Sequence, residues 1–173
     1  MALIVEDGSV VAGAESYISV ADADTYHAKR ANVAWDAVDD KEAALRKATD
    51  YLRQNYRMAW KGDFKSASQV LDWPRVGVYT LEFYSGAYAG SRYLVPDTVV
   101  PDDVKNACAE LALKSATADL NPDQSRGIVS QTVGPISTTY DVNSPQQKRY
   151  RAIDMMLAPY LNGNSISMKV ERS

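Results

Sequence analysis

The chain has 173 residues, a net charge of -3 at pH 7 and one cysteine. This length suits a single domain that buries roughly two thirds of its unfolded surface, and one cysteine excludes an intrachain disulfide framework. No apolar run approaches the roughly 20 residues of a membrane span, and the acidic N-terminus is unlike a secretory signal. The sequence has no long run of basic residues, which disfavours tight general nucleic-acid binding by a monomer.

Two helices are predicted in the first third of the chain. Ser19 with Asp22 three positions later forms a capping box, and the helix behind it is expected to run to about Ala31. Asp39 and Glu42 mark the start of a second, amphipathic helix. The side of that helix opposite its apolar face carries Lys41, Arg46, Lys47, Asp50 and Arg53. We expect this charged side to face solvent or a partner.

An aromatic hairpin is predicted in the middle of the chain. Glycines and prolines interrupt every helical window between residues 60 and 100. Residues 76–83 and 87–94 have the composition of two strands, with Ser85-Gly86 as the turn. The aromatic residues of this segment are Tyr79, Phe83, Tyr84, Tyr88 and Tyr93.

A third helix is predicted behind Pro101, where two aspartates favour the positive end of the helix dipole, and Asn121-Pro122 is expected to end it. Residues 131–142 have the composition of a strand or hairpin arm. Ser144, Pro145 and Gln147 predict the start of a last helix. Beyond that helix, a tail alternates apolar and polar residues in the manner of a strand, at Ile166, Met168 and Val170.

Together these elements predict a mainly α protein. We expect a compact bundle of about four to five helices, a projecting β-hairpin or long loop, and extended N- and C-terminal arms. Residues 1–163 form the single helical domain in this interpretation, and residues 164–173 form a C-terminal docking arm. The sequence contains no internal repeat and no linker that would divide the domain.

The sequence offers no pairing of residues that would carry out a reaction. His27 is the only histidine, and no nucleophile is placed beside it by sequence, so a surface or half-buried structural role is expected. One histidine and one cysteine disfavour a zinc site. The paired aspartates precede helices, where capping accounts for them, and glycine-rich phosphate loops are absent. We therefore expect no enzyme, no catalytic or metal-binding residue and no cofactor.

The aromatic hairpin permits two functional interpretations, with a self-packed loop as a third. Exposed rings interleaved with Arg75 and Arg92 have the composition of a stacking surface for single-stranded nucleic acid. Tyrosine, tryptophan and arginine also dominate the centres of protein interfaces, and the surrounding charge is not basic, which favours the interface. The candidate subunit or partner contacts are Arg46, Arg53, Trp73, Arg75, Tyr79, Tyr84, Tyr88 and Tyr93.

The order of several motifs resembles one family of small tailed-phage and prophage proteins, the DnaT-like single-stranded DNA-binding proteins. The matching segments are residues 16–26, 48–52, 73–75, 101–107, 133–136 and 157–159. They comprise a Ser-Tyr-Ile-Ser start, an Ala-Thr-Asp-Tyr-Leu helix, Trp-Pro-Arg, a helix behind proline, Val-Gly-Pro-Ile, and Leu-Ala-Pro. Residues 76–95 look like an insertion relative to shorter members, so no role for them follows from the family.

Proteins of this kind also resemble head-to-tail connectors of the phage neck. That resemblance implies a virion structural protein, made in the bacterial host cytoplasm, that forms a ring of about twelve copies between the portal protein and a tail-side neck or tail terminator protein. Genomic DNA would pass through the lumen without sequence-specific binding, no membrane would be involved, and Ile166, Met168 and Val170 would dock on the portal. Our leading hypothesis is this adaptor; the alternative is a DnaT-like single-stranded DNA-binding protein.

Overall fold

The computed structural model describes residues 2–81, 92–122, 130–133, 136–139 and 149–162. These residues form four α-helices: α1 (Val20–Ala28), α2 (Lys41–Tyr56), α3 (Asp102–Ser115) and α4 (Arg151–Leu157). Two 3₁₀ helices cover Val33–Trp35 and Ala158–Tyr160. The predicted helix-rich fold is confirmed. Within the described ranges, no helix has both the length and the apolar character to cross a membrane.

Six short strands form three antiparallel pairs among the described residues. The first pair joins β1 (Asp63–Phe64) to β2 (Arg75–Val76). The second joins β3 (Tyr79–Leu81) to β4 (Arg92–Leu94), and we call this pair the tyrosine ribbon. The third joins β5 (Ser130–Val133) to β6 (Ile136–Thr139). The predicted central hairpin is thus present, although Val76 pairs with β1 and the residues between β3 and β4 lie outside the described ranges.

The helix starts follow capping chemistry. Ser19 Oγ accepts a hydrogen bond from the Asp22 amide at 3.1 Å, which confirms the first predicted cap. The cap of α2 is Asp40 rather than Asp39, because Asp40 Oδ1 lies 2.8 Å from the Ala43 amide. Helix α1 ends at Ala28, three residues earlier than predicted, and Ala31 adopts a left-handed backbone conformation with φ of 53°.

The last two helices differ more from the sequence prediction. Pro101 precedes α3 as expected, but α3 ends at Ser115, well before Asn121. Helix α4 begins at Arg151, later than predicted, and the predicted cap residues Ser144, Pro145 and Gln147 lie outside the described residues. Pro159 lies in the 3₁₀ helix that follows α4, because a proline cannot donate to the α-helical hydrogen-bond ladder.

Helices α2 and α3 pack together at the centre of the core, and α1 and α4 both pack against α3. Small side chains let the two central helices approach closely: Ala48 and Ala107 are fully buried. Cys108 Sγ lies 3.4 Å from the Thr49 hydroxyl and is also fully buried. Cys108 is therefore a core residue, and burial raises the pKa of its thiol.

A buried carboxylate that sequence reasoning missed holds the N-terminal segment. Glu6 accepts hydrogen bonds from the amides of Gly8, Val10 and Val11 at 2.8 to 3.0 Å. Gly8 has φ of 109°, and a Cβ there would lie 2.1 Å from the Thr98 carbonyl oxygen. The N-terminal loop is thereby fixed against the segment that leads into α3.

The Asp72-Trp73-Pro74-Arg75 segment is buried and structural. Arg75 donates to three backbone carbonyls, those of Lys61, Gly62 and Asp72, at 2.7, 2.6 and 3.2 Å. The fully buried Trp73 ring makes edge contacts with the rings of Trp60 and Tyr160, both at 5.7 Å between centroids. The expectation that Trp73 and Arg75 face a partner is not met, because both side chains are enclosed by their own chain.

His27 is also structural, and more buried than expected, at 1% exposed. Its Nε2 atom lies 3.1 Å from the Ala109 carbonyl oxygen, which can only accept, so Nε2 carries the hydrogen. Nδ1 then accepts from the Asn32 amide at 3.1 Å. Burial lowers the pKa of His27 below its ordinary value, which favours the neutral ring.

Replacing Arg75 tests the role of its guanidinium. We expect Arg75→Lys to lower the free energy of unfolding by about 3 kcal/mol, because an ammonium cannot bind three divergent carbonyls at once and leaves some buried without a donor. Urea denaturation measures the effect. Arg151→Lys is the control, since Arg151 is exposed on α4. Equal midpoints for the two variants would contradict this role.

The His27 geometry predicts a dependence of stability on pH. The folded-state pKa is lowered, so the unfolded chain binds the proton more readily and the stabilisation is present above the unfolded value of about 6.5. It is lost as pH falls through the folded pKa. Urea midpoints between pH 7 and 5 should therefore fall more steeply for the natural chain than for His27→Gln. If the midpoints of the two proteins fell equally with pH, the proposed contribution of His27 would be refuted, since the chain has no other histidine.

Candidate nucleic-acid interface

The tyrosine ribbon displays aromatic and aliphatic side chains to solvent. Tyr79 pairs with Leu94, and Thr80 pairs with Tyr93. Residues directly opposite each other in an antiparallel pair share a face of the sheet, so Tyr79 and Leu94 lie on one face and Thr80 and Tyr93 on the other. Tyr79 and Leu94 are 47% and 49% exposed, which makes theirs the open face.

The second face of the ribbon is partly covered by the body of the protein. Thr80 is 8% exposed, whereas Tyr93 beside it is 45% exposed. Tyr79 and Tyr93 therefore present their rings in opposite directions. The two rings therefore do not form one continuous stacking platform.

A lysine lies against the ribbon. Lys61 Nζ donates to the Tyr79 carbonyl at 3.1 Å and to the Pro159 carbonyl at 2.6 Å. These contacts link β3 to the 3₁₀ helix Ala158–Tyr160 and hold a positive charge beside β3. Lys65 Nζ donates to the Asp97 carbonyl at 2.8 Å, in the segment that follows β4. Neither ammonium makes an ion pair with a carboxylate in the described part of the chain.

Phe64 on β1 adds an exposed ring with two guanidinium groups beside it. Its side chain is 39% exposed. The Arg75 guanidinium lies 4.9 Å from the ring centroid and that of Arg57 lies 5.4 Å from it. Arg75 is fully engaged with backbone carbonyls, so Arg57 is the guanidinium of this pair that solvent and ligands can reach.

Arg57 also faces a buried carboxylate. Its Nε atom lies 3.8 Å from Asp72 Oδ1, and the Asp72 side chain is 1% exposed. Burial raises the pKa of Asp72, an effect that Arg57, Arg53 and Arg75 oppose. Arg57 therefore contacts both the buried Asp72 carboxylate and the exposed Phe64 ring.

The remaining predicted contact residues fall into three groups. Arg46 forms salt bridges within its own chain, to Glu15 at 3.0 Å and to Glu42 at 3.3 Å. Arg53 is half-buried near Asp72. The others lie outside the described residues: Tyr84, Tyr88, Ile166, Met168 and Val170. Their roles stay predictions.

Sequence reasoning missed Phe64, Lys61 and Arg57. Phe64 stands in a segment of mixed polarity, and only its pairing with Arg75 across the β1–β2 ladder brings it beside the guanidinium groups. Arg57 is the C-cap of α2, one residue beyond the end of the helix and four residues beyond Arg53, the last residue of the charged side described above. Among the described residues, no group of three or more metal-ligating side chains is placed to hold an ion.

Comparison with known proteins supplies the family. Residues 1–173 match the family described as "Putative DnaT-like ssDNA binding protein". No curated protein and no solved structure matches the chain. The family description corrects our hypothesis of a structural connector in the virion neck, because it names single-stranded DNA binding instead. The chain belongs to the DnaT-like single-stranded DNA-binding family.

Proposed function

We propose that this protein binds single-stranded DNA through the open face of the tyrosine ribbon. The observation that carries the proposal is the half-exposed Tyr79 ring, which is paired with Leu94 and has the Lys61 ammonium bound to its own carbonyl. Proteins that bind single strands combine exposed aromatic rings, on which bases stack, with nearby cations that contact phosphates. Family membership supports the same function.

Base stacking is the larger expected contribution at this face. A base stacked on an aromatic side chain contributes about 1–3 kcal/mol, as measured by alanine substitution, and the interaction tolerates every base. Leu94 beside Tyr79 widens the apolar surface on which a base or sugar can lie. The binding we propose is therefore independent of sequence.

Electrostatic attraction adds a smaller contribution. The chain is net acidic, so long-range attraction of DNA is weak. The cations described above are Arg57, Lys61 and Lys65. Arg57 lies 3.8 Å from the Asp72 carboxylate, and neither lysine makes an ion pair with a carboxylate of the described residues. Each phosphate contact releases condensed counterions, so binding should weaken as salt rises, with a shallow slope.

Substitution of Tyr79 tests the stacking role. We expect Tyr79→Ala to raise the Kd for a fluorescent oligothymidylate by about 5- to 150-fold, which corresponds to the loss of one stacked base. Tyr79→Phe keeps the ring and should bind like the natural chain. Fluorescence anisotropy at fixed low salt measures both.

Two controls make the result specific. Met58→Ala removes another exposed apolar side chain, 95% exposed at the end of α2, and should leave binding unchanged. A duplex of the same sequence hides its base faces and should bind more weakly than the single strand. Equal affinities for Tyr79→Ala and Tyr79→Phe would contradict the proposed stacking.

A further inference from the structure

A second surface of the protein gathers cations around a groove. The groove has a volume of about 520 Å³ and lies between α1 and the first turns of α3. Its charged lining residues are Lys29, Arg30, Lys105, Asp22 and Asp102. Thr25 and Asn106 add polar side chains, and Ile18 lies at its base.

Both acids of the groove are already engaged. Asp22 Oδ2 accepts from the Ser19 hydroxyl at 2.7 Å, as part of the α1 cap. Asp102 Oδ1 lies 3.5 Å from Lys105 Nζ, and the Asp102 side chain is 89% exposed. An ion pair this exposed contributes about 0–1 kcal/mol, so Lys105 can exchange Asp102 for another anion at little cost.

The two cations from the end of α1 differ in how they are held. The Arg30 guanidinium lies over the Tyr26 ring, with its Cζ atom 3.6 Å from the ring centroid, and its Nη1 atom donates to the Tyr26 carbonyl at 3.3 Å. The Tyr26 hydroxyl is in turn held by Glu110 at 3.0 Å. Lys29 makes no hydrogen bond or ion pair with any described side chain. One cation is therefore oriented in advance and one is free to reach a ligand.

Charge distinguishes this groove from a second groove, formed by α2 and the segment that follows α3. That second groove, of about 360 Å³, has Lys47 as its cation and carries the acids Asp50 and Asp119. Two acids face one cation in that groove, whereas three cations and two acids line the α1–α3 groove, which is therefore net positive. An anionic ligand is thus complementary to the α1–α3 groove.

We propose that the α1–α3 groove binds the phosphodiester backbone of a single DNA strand, through Lys29, Arg30 and Lys105. This inference rests on the proposed function and adds a site separate from the stacking face. The ribbon contacts bases, while the groove contacts phosphates and has no exposed aromatic ring, since Tyr26 is 7% exposed under Arg30. A single strand long enough to reach both would be held by two kinds of contact.

An abasic oligomer separates the two sites experimentally, because it carries phosphodiesters without bases. The probes are an abasic deoxyribose-phosphate oligomer and an oligothymidylate, each of about 12 units. The test variant is Lys29→Gln/Arg30→Gln/Lys105→Gln. The matched control is Lys47→Gln/Arg149→Gln/Arg151→Gln, which removes the same charge at exposed positions outside the groove. Binding is measured by anisotropy over a series of salt concentrations.

We expect the natural chain and the control to bind both probes. The groove variant should lose at least about tenfold in affinity for the abasic oligomer. The slope of its log affinity against log salt concentration should be smaller in magnitude by about 2, because each cation removed lowers the slope by about 0.7. If unfolding by urea shows that this variant is not folded, Lys29→Gln/Lys105→Gln, which keeps the Arg30–Tyr26 contact, should lower the slope by about 1.4.

The outcomes distinguish failure of the groove from failure of the ribbon. If the groove variant matches the control with both probes, the groove inference is overturned, and the ribbon proposal stands as long as Tyr79→Ala weakens oligothymidylate binding. If Tyr79→Ala binds oligothymidylate normally while the groove variant loses the abasic oligomer, the ribbon proposal falls and the groove remains. If the natural chain binds neither probe, both are overturned.

Discussion

The structure around the ribbon depends on one buried guanidinium. Arg75 donates to the carbonyls of Lys61, Gly62 and Asp72, and so ties the segment before β1 to the segment before β2. The guanidinium carries five donors in a fixed fork, which lets one side chain bind all three carbonyls. With this contact in place, β2 is fixed against β1, and the chain passes through Gly77 directly into β3. The position of the ribbon therefore depends on a side chain that is itself buried.

The same region places unlike environments side by side. Asp72 is a buried carboxylate whose pKa is raised by burial, and Arg57 bridges it to the exposed Phe64 ring. Lys61 links the ribbon to the C-terminal 3₁₀ helix through two carbonyls. The exposed Phe64 ring and the Arg57 and Lys61 cations are thus held by ion pairs and hydrogen bonds to the body of the protein. A binding surface built this way loses little conformational entropy when a strand is bound, because its backbone is already ordered.

Local chemistry was predictable from the sequence, and long-range partners were not. The Ser19 cap, the helix behind Pro101 and the pairing of residues near Tyr79 with residues near Tyr93 follow from short motifs, and the structure has them. Arg75 and Trp73 looked like interface residues because arginine and tryptophan are common at interfaces. In the structure the Trp73 ring packs against Trp60 and Tyr160, and Arg75 binds the carbonyls of Lys61 and Gly62, partners that no local motif indicates. Glu6 was missed for a related reason: one carboxylate holds three amides of its own loop, a role that no spacing rule signals. The start of α4 was predicted from a local capping pattern behind Pro145, whereas the helix begins at Arg151 and buries Ile153 and Leu157 in the core.

Photo-crosslinking tests the central claim, that a single strand lies on the open face of the ribbon, most directly. An oligonucleotide containing 5-bromouracil is irradiated with the full-length protein at low salt, and the crosslinked peptides are identified by mass spectrometry. The account predicts crosslinks at Tyr79 that an excess of unlabelled single strand abolishes and an equal excess of duplex reduces only slightly. Crosslinks confined to residues away from the ribbon, or none at any protein concentration, would contradict it.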